Sequence, residues 1–186
     1  PPQQRFVELH ALLGDAPQEP LGRQMVHAVM RLAFAPGLTV QQNEWNLFQD
    51  QLDKSAKVTG ATIANAVCPS LLWYGGIGFQ LTPPSSGWLN QNRHELLRCL
   101  VALLSAELYV TPNPRAPARS LVSDALVAGD APFAPTLFYS LVNAAHNMQP
   151  QSLSVLPYSA ALTSDQPYTT ATACVQVLLL LLNYAP

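Results

Sequence analysis

Clusters of proline, glycine and asparagine divide this chain into short apolar segments, and this division constrains the fold more than any other feature. The 186 residues include 17 prolines, and a proline ends a helix because it lacks an N–H and its ring clashes with the preceding turn. Within the segments, apolar residues recur at spacings of three and four, as on one face of a helix, and strand-like alternation is scarce. The pattern predicts an all-α fold built from short helices.

The helices are expected to stack as pairs joined by short proline-rich connections, in the manner of armadillo or HEAT repeats. No fixed sequence period recurs, so an irregular helical bundle is the alternative architecture. A single domain over 1–186 is expected at this length. The polar segment 41–57 is interpreted as a connector with partial helical character. Helices are predicted over 5–13, 21–34, 59–67, 92–109, 120–127, 136–146 and 169–184.

The helix predicted over 92–109 has the strongest start signal in the chain. Asn92 stands three residues before Glu95, which is the spacing of a capping box. With that start, Arg93 and His94 fall on the exposed first turn. Leucines cover more than half of the circumference of this helix, so we expect it to be central and packed on two sides.

Two further helices carry distinctive apolar patterns. Helix 21–34 has a stripe of Met25, Val29 and Leu32, which is predicted to face the core. Helix 169–184 is apolar nearly all round and therefore predicts neighbours on every side. Its apolar run is short of the roughly 20 residues that span a bilayer, so a buried helix explains it better than a membrane span.

Charged side chains are unusually few. Nine Lys and Arg and 11 Asp and Glu make 11% of the chain, against about 25% in ordinary soluble domains. Together with 49% apolar residues, this excludes intrinsic disorder, and a net charge of -2 without a Lys/Arg run predicts no nucleic-acid or anionic-lipid surface. A piece of a longer helical stack needs few surface charges where neighbouring repeats cover it. We therefore interpret the chain as a fragment of a longer helical-repeat protein.

Two partial motifs for cofactor or metal chemistry are incomplete. Gly76-Ile77-Gly78 begins like a dinucleotide-binding loop, but Leu81 stands at the position of the third glycine. His94-Glu95 begins like the H-E-x-x-H motif of zinc proteases, but Arg98 stands at the position of the second ligand. No cofactor and no metal are therefore expected.

The cysteines are odd in number and widely spaced, so neither a disulfide framework nor a zinc site is expected. An enzyme whose Cys–His site is assembled from distant residues is one alternative function, and an obligate oligomerisation domain is another. The residues available to the first alternative are Cys68, Cys99, Cys174, His10, His27, His94 and His146.

Groups of residues that recur in a fixed order carry a resemblance to a known family. The first group is 34–40, which contains Pro36, the second is Trp73 with 76–79, and the third is 92–97. In this order and spacing they resemble the Hid family, the high-temperature-induced dauer formation proteins, of which dymeclin is a relative. The residues that carry the resemblance most directly are Pro36, Trp73, Gly76, Gly78, Phe79, Asn92, Arg93 and Glu95.

The resemblance implies a non-enzymatic, largely helical cytosolic protein that is peripherally attached to Golgi membranes. It implies a role in trans-Golgi sorting and in the formation of secretory granules and dense-core vesicles, with proteins of the trafficking machinery as partners. Family members are much longer and carry a lipid anchor at an N-terminus outside this chain, so membrane association is expected only through other parts of the parent protein. We also expect Trp73 and Phe79 to anchor the glycine turn against the helix that begins near Asn92.

Overall fold

A computed structural model of the chain describes residues 21–54, 66–76, 86–105, 121–127, 131–147 and 166–183. Within these ranges the chain forms α-helices and one 3-10 turn, Pro69–Leu71, and no β-strand. The predicted all-α fold class is therefore confirmed. The helices are α1 (Leu21–Leu32), α2 (Gln42–Lys54), α3 (Gly87–Leu104), α4 (Leu121–Val127), α5 (Ala134–His146) and α6 (Gln166–Leu182).

Helices α3, α5 and α6 form the centre of the fold, with α6 packed on both of the others. Thr170 Oγ1 donates to the Asn90 carbonyl oxygen at 3.4 Å, so the N-terminal parts of α6 and α3 lie together and these helices run in the same direction. Helix α5 runs the opposite way, because Asn143 near its end reaches Tyr74, whose hydroxyl contacts Asn90. Antiparallel neighbours such as α5 and α6 are compatible with stacked helix pairs.

Helix α1 faces the core with a different stripe from the one predicted. Val26 and Met30 are buried, whereas Met25 and Leu32 are exposed and Val29 is only partly buried. The prediction of an inward stripe of Met25, Val29 and Leu32 is therefore wrong. Apolar residues occupy two faces of this helix, and periodicity alone does not decide which of the two meets the core.

The segment interpreted as a connector is a regular helix over Gln42–Lys54, so that interpretation is wrong for the part that the structure describes. The Gln41 N–H donates to Glu44 Oε2 at 2.9 Å, which satisfies one of the free N–H groups at the helix start. Phe48 is buried, and its ring lies 5.3 Å from that of Trp45. Two aromatic rings thus fix this otherwise polar helix to the core.

The central helix α3 begins with Gly87 rather than Asn92. Ser86 is its N-cap residue, and the Asn90 N–H already donates to the Ser86 carbonyl oxygen at 3.2 Å. Asn92 therefore lies inside the helix, and its side chain donates to the Leu38 carbonyl oxygen instead of capping. The predicted start is wrong, and so is the predicted exposure of Arg93, which is 2% exposed.

Helix α5 begins at Ala134, two residues before the predicted Thr136. Phe133 precedes it with a left-handed φ of 59°, a conformation that costs a non-glycine residue free energy. Packing explains why Phe133 adopts it, because its buried ring lies 5.3 Å from the Phe34 ring and 6.0 Å from the Phe48 ring.

Helix α6 contains no charged residue and packs inward through Ala171, Cys174 and Val177. The prediction of neighbours on every side is wrong for its outer face, where Leu179 and Leu182 are 61% and 74% exposed. Across the described ranges, none of the helices has the length and apolarity that crossing a bilayer would need.

Several predictions fall on residues that the structure does not describe. These are helix 5–13, most of helix 59–67, the last residues of helix 92–109, and the sites at Gly78, Phe79 and His10.

Candidate functional site

The turn between α1 and α2 presents its main chain to α3. Gly37, which follows Pro36, has a left-handed φ of 73°, a region that glycine enters without steric cost. The Gly37 N–H donates to the Val40 carbonyl oxygen at 2.9 Å, so the turn closes on itself. The Thr39 hydroxyl donates to the Ala33 carbonyl oxygen at 2.9 Å, and this bond ties the turn to the end of α1.

Residues 66–76, which we call the strap, lie between this turn and helix α5. Trp73 is completely buried in the strap. Its indole Nε1–H donates to the Ala33 carbonyl oxygen at 2.9 Å, and its ring lies 5.9 Å from the Phe34 ring. Trp73 therefore attaches the strap to the end of α1 by both packing and a hydrogen bond.

The side chain of Arg93 on α3 joins the turn to the strap. Its Nε donates to the Thr39 carbonyl oxygen at 2.8 Å, and its Nη1 donates to the Trp73 carbonyl oxygen at 3.3 Å and to Asn90 Oδ1 at 3.1 Å. The guanidinium carbon lies 5.6 Å from the Trp73 ring centroid and 5.5 Å from that of Tyr74, within cation–π range of both. We call Arg93, Thr39, Trp73, Tyr74 and Asn90 the arginine cluster.

The charge of Arg93 is compensated in an unusual way. No carboxylate of the described residues forms an ion pair with it. Burial lowers the pKa of Arg93 from its ordinary value, and the nearby Tyr74 and Glu44 oppose that shift. A guanidinium stays protonated in proteins, so its charge is stabilised here by carbonyl dipoles and aromatic faces.

Tyr74 and Asn90 complete the arginine cluster. The Tyr74 hydroxyl donates to Asn90 Oδ1 at 3.0 Å, and the same oxygen accepts from Arg93. Burial raises the pKa of Tyr74, and the charge of Arg93 opposes the rise. Tyr74 therefore stays neutral and acts as a hydrogen-bond donor.

One face of α5 carries hydroxyl groups that accept from the N–H groups of the strap. Thr136 Oγ1 accepts from the Cys68 N–H at 3.0 Å. Ser140 Oγ, one turn further along the helix, accepts from the Trp73 N–H at 3.3 Å. These bonds hold the strap along the helix at two points.

The same face of α5 continues with carboxamides that donate to the carbonyl oxygens of the strap. Asn143 Nδ2 donates to the Tyr74 carbonyl oxygen at 3.0 Å, and Asn147 Nδ2 donates to the Gly75 carbonyl oxygen. The four side chains occur at helical spacings of four, three and four, so they share one face. We call Thr136, Ser140, Asn143 and Asn147 the polar row.

Gly76 closes the strap at a point where a side chain would meet the Asn143 carboxamide. A Cβ atom at this position would lie 2.9 Å from Asn143 Oδ1 and 3.1 Å from Asn143 Cγ. The close approach of α5 therefore favours glycine here, because any side chain would have to displace the Asn143 carboxamide.

The structure separates the predicted site residues into two groups. Trp73, Asn92 and Arg93 come together, because Arg93 contacts Trp73 and Asn92 Nδ2 donates to the Leu38 carbonyl oxygen at 2.9 Å in the same turn that Arg93 binds. Gly76 lies on the same strap as Trp73 but against Asn143 of α5. Pro36 and Glu95 are exposed, and the Glu95 carboxylate pairs with Arg98 at 3.1 Å on the surface. Two residues of the incomplete zinc-protease motif, Glu95 and Arg98, thus form a surface ion pair.

Sequence reasoning missed the polar row and Asn90. The sequence signal for the row was present, since Thr136, Ser140 and Asn143 recur on one face of a helix that is otherwise mostly apolar. Small polar residues at such positions are typical of a helix face that hydrogen-bonds another segment.

The cysteines offer little nucleophilic chemistry. Burial raises the pKa of the Cys174 thiol to about 12, with the charge of Arg93 opposing, and it also raises that of Cys68, with a hydrogen bond to Thr136 opposing. The thiolate is the reactive form of cysteine, so both are held in the unreactive form at neutral pH. Cys99 is exposed. Among the described residues, no three His, Cys, Asp or Glu side chains come together as a metal site.

Comparisons with known proteins agree over nearly the whole chain. The family model described as high-temperature-induced dauer-formation protein matches residues 6–185. The chain is 26% identical over 170 residues to Protein HID1 of Mus musculus, and this covers 91% of the chain and 20% of the relative. Protein HID1 of Dictyostelium discoideum is 25% identical over 170 residues, with 90% of the chain and 17% of the relative covered.

Protein HID1 of Homo sapiens is similar to the same extent, at 25% identity over 170 residues, with 91% of the chain and 20% of the relative covered. The chain therefore spans about a fifth of the length of the curated relatives that it matches. No solved structure gives a significant match.

Proposed function

Because this chain belongs to the family of high-temperature-induced dauer-formation proteins, we propose that it is a scaffold segment of a protein acting in trans-Golgi sorting and in secretory and dense-core vesicle formation. In this proposal the segment holds proteins of the trafficking machinery and carries out no reaction itself. The protein that contains it is cytoplasmic and peripheral at the Golgi and the trans-Golgi network.

The arginine cluster is the observation that carries the scaffold part of the proposal. Arg93 donates to the main-chain carbonyl oxygens of Thr39 and Trp73, and Asn92 donates to that of Leu38. Polar groups in an active site are directed at a substrate, whereas these are directed at the chain's own backbone. The most elaborate polar arrangement of the described residues therefore supports a role in holding helices together.

The buried cysteines support the absence of catalysis. Cys68 and Cys174 are buried and their pKa values are raised, which opposes their use as nucleophiles. The exposed Cys99 is the thiol on which a Cys–His enzyme would depend, and its replacement separates the two functions in the experiment below.

The relatives suggest how the segment is used. Each is about five to six times as long as the region that it shares with this chain. We propose that the chain is one part of a longer helical scaffold and that membrane association depends on other parts of that protein. The purified chain is then expected not to float with phosphatidylcholine vesicles, with or without phosphatidylserine.

A rescue experiment tests the proposal. The protein carrying this chain is expressed in a secretory cell line that lacks its own family member, and delivery of a regulated secretory cargo into granules is measured together with Golgi localisation. Arg93→Ala, which disrupts the arginine cluster, is expected to abolish most of the rescue. Arg98→Ala, a matched exposed arginine on the same helix, is expected to leave it unchanged.

Two results would overturn the proposal. One is full rescue by a protein from which residues 1–186 have been deleted. The other is loss of rescue by Cys99→Ala in a chain that keeps its fold and its Golgi localisation, because a scaffold has no use for that thiol and a Cys–His enzyme does.

A further inference from the structure

The strap is held in the way that a protein holds a bound peptide. Main-chain N–H and C=O groups usually pair with one another in helices and sheets. Among the described residues, the strap makes such bonds only in its 3-10 turn, Pro69–Leu71, and the N–H groups of Cys68 and Trp73 instead donate to side chains of the polar row. The carbonyl oxygens of Trp73, Tyr74 and Gly75 accept from side chains of α3 and α5.

These bonds come from two sides and define a groove. Ser140 on α5 accepts from the Trp73 N–H at 3.3 Å, and Arg93 on α3 donates to the Trp73 carbonyl oxygen at 3.3 Å. The peptide unit on each side of Trp73 is thus fixed by a different helix. A groove that contacts main-chain groups in this way binds a segment of matching backbone course largely irrespective of its side chains.

Two positions of the strap nevertheless depend on the side chain. Trp73 fills a closed pocket against Phe34 and uses its indole N–H on the Ala33 carbonyl oxygen. Gly76, three residues later, lies where a Cβ atom would meet Asn143 Oδ1 at 2.9 Å. The groove therefore selects a tryptophan and favours a glycine three residues later, because any side chain there would have to displace the Asn143 carboxamide.

We propose that the groove between α3 and α5 is a peptide-binding groove whose built-in occupant is the strap. A segment of a partner protein that follows the same backbone course, with a tryptophan and a glycine three residues after it, displaces the strap and takes its place. The strap competes with such a partner. The apparent affinity of the partner is then its affinity for the open groove multiplied by the fraction of chains in which the groove is open. This inference goes beyond the scaffold role and does not depend on it, because it concerns binding to the purified chain.

The test measures binding of a fluorescein-labelled synthetic peptide with the sequence of residues 66–76 by fluorescence anisotropy under reducing conditions. The Trp73→Ala chain, whose own strap is weakened, is expected to bind the peptide at least about tenfold more tightly than the unaltered chain. A peptide that itself carries Trp73→Ala is expected to bind at least about tenfold more weakly.

Variants on α5 show whether binding uses the groove. Asn143→Ala, added to the Trp73→Ala chain, removes a donor to the peptide main chain and is expected to weaken binding. Phe138 lies on the exposed side of the same helix, and Phe138→Ala is expected to leave binding unchanged. Equal binding of the peptides with and without tryptophan, or equal effects of the two helix variants, would overturn the proposal.

Folding of the variant is controlled by circular dichroism. If the Trp73→Ala chain has lost its helical signal, the Gly76→Ala chain replaces it with the same criteria, because that change weakens the strap while leaving Trp73 in place. Absence of saturable binding to a folded chain with a weakened strap contradicts the proposal.

Discussion

The guanidinium of Arg93 holds Trp73 twice. Its Nη1 donates to the Trp73 carbonyl oxygen at 3.3 Å, and its carbon lies 5.6 Å from the centroid of the Trp73 ring. One residue of the pair lies on the central helix and the other on the strap. Their contact is therefore the direct link between these two parts of the core.

Arg93→Ala is expected to lower the free energy of unfolding by about 2–5 kcal/mol. The change leaves the carbonyl oxygens of Thr39 and Trp73 buried without their donor, and each unsatisfied group costs about 1–3 kcal/mol. Urea denaturation followed by circular dichroism measures the loss. Arg98→Ala, whose ion pair with Glu95 lies on the surface, should change stability by less than about 1 kcal/mol, and equal effects of the two would contradict the burial of Arg93.

Trp73→Ala is expected to cost about 3–5 kcal/mol, because it empties a fully buried site and removes one of the two donors to the Ala33 carbonyl oxygen. Trp88→Ala is the matched control, since Trp88 is 53% exposed, and it should cost less than about 1 kcal/mol. Thermal and urea unfolding of both variants provide the comparison. A loss below about 1 kcal/mol for Trp73→Ala would show that the side chain is not buried.

Gly76→Ala is expected to cost about 1–3 kcal/mol, because the added methyl group displaces the Asn143 carboxamide from the Tyr74 carbonyl oxygen. The double variant with Asn143→Ala tests this reason. Both single changes disturb the same contact, so their combined cost should be smaller than the sum of the two. Additive costs would place the strain elsewhere.

Stability should fall as the pH rises above about 9. The Cys174 thiol has a pKa of about 12 in the folded chain against a usual value of 9.0, so between these values the unfolded chain loses a proton that the folded chain keeps. Unfolding is then favoured by roughly 1 kcal/mol per pH unit. Tyr74 and Cys68 act in the same direction, since burial raises both of their pKa values.

Cys174→Ala identifies the contribution of that thiol. The slope of the free energy of unfolding against pH, measured by urea denaturation between pH 9 and pH 12, should be smaller for this variant than for the unaltered chain. Cys99→Ala, at an exposed position, should keep the original slope. An unchanged slope in Cys174→Ala would rule out burial of the thiol as the cause.

The all-α class could be predicted because prolines and glycines end helices through local effects on the backbone. The helix boundaries could not be predicted, because they depend on contacts with distant parts of the chain. The spacing of Asn92 and Glu95 fits a cap, yet the helix continues through Asn92 because the turn at Leu38 offers that side chain a carbonyl oxygen. A local capping rule does not include a partner 54 residues away. For the same reason, the polar composition of residues 41–57 predicts a connector, although the buried Phe48 attaches a helix there to the core.

The centre of the candidate site was predicted only in part. Trp73 and Gly76 stand out in a sequence because few other residues can replace an indole or a missing Cβ. The burial of Arg93 does not stand out, since arginine is usually exposed and its acceptors are backbone oxygens. Every residue has a backbone carbonyl oxygen, so the sequence does not indicate which of these oxygens accept a hydrogen bond from Arg93.

The use of backbone oxygens as acceptors affects how the sequence of the chain can change in evolution. Arg93 and Asn92 bind the carbonyl oxygens of Thr39, Trp73 and Leu38, and an acceptor of this kind survives a change of side chain at the accepting residue. A substitution such as Leu38→Met alters the surface of the turn without removing the bond. Descendants of one ancestral chain can therefore drift apart in these turns while they keep the same connections between helices.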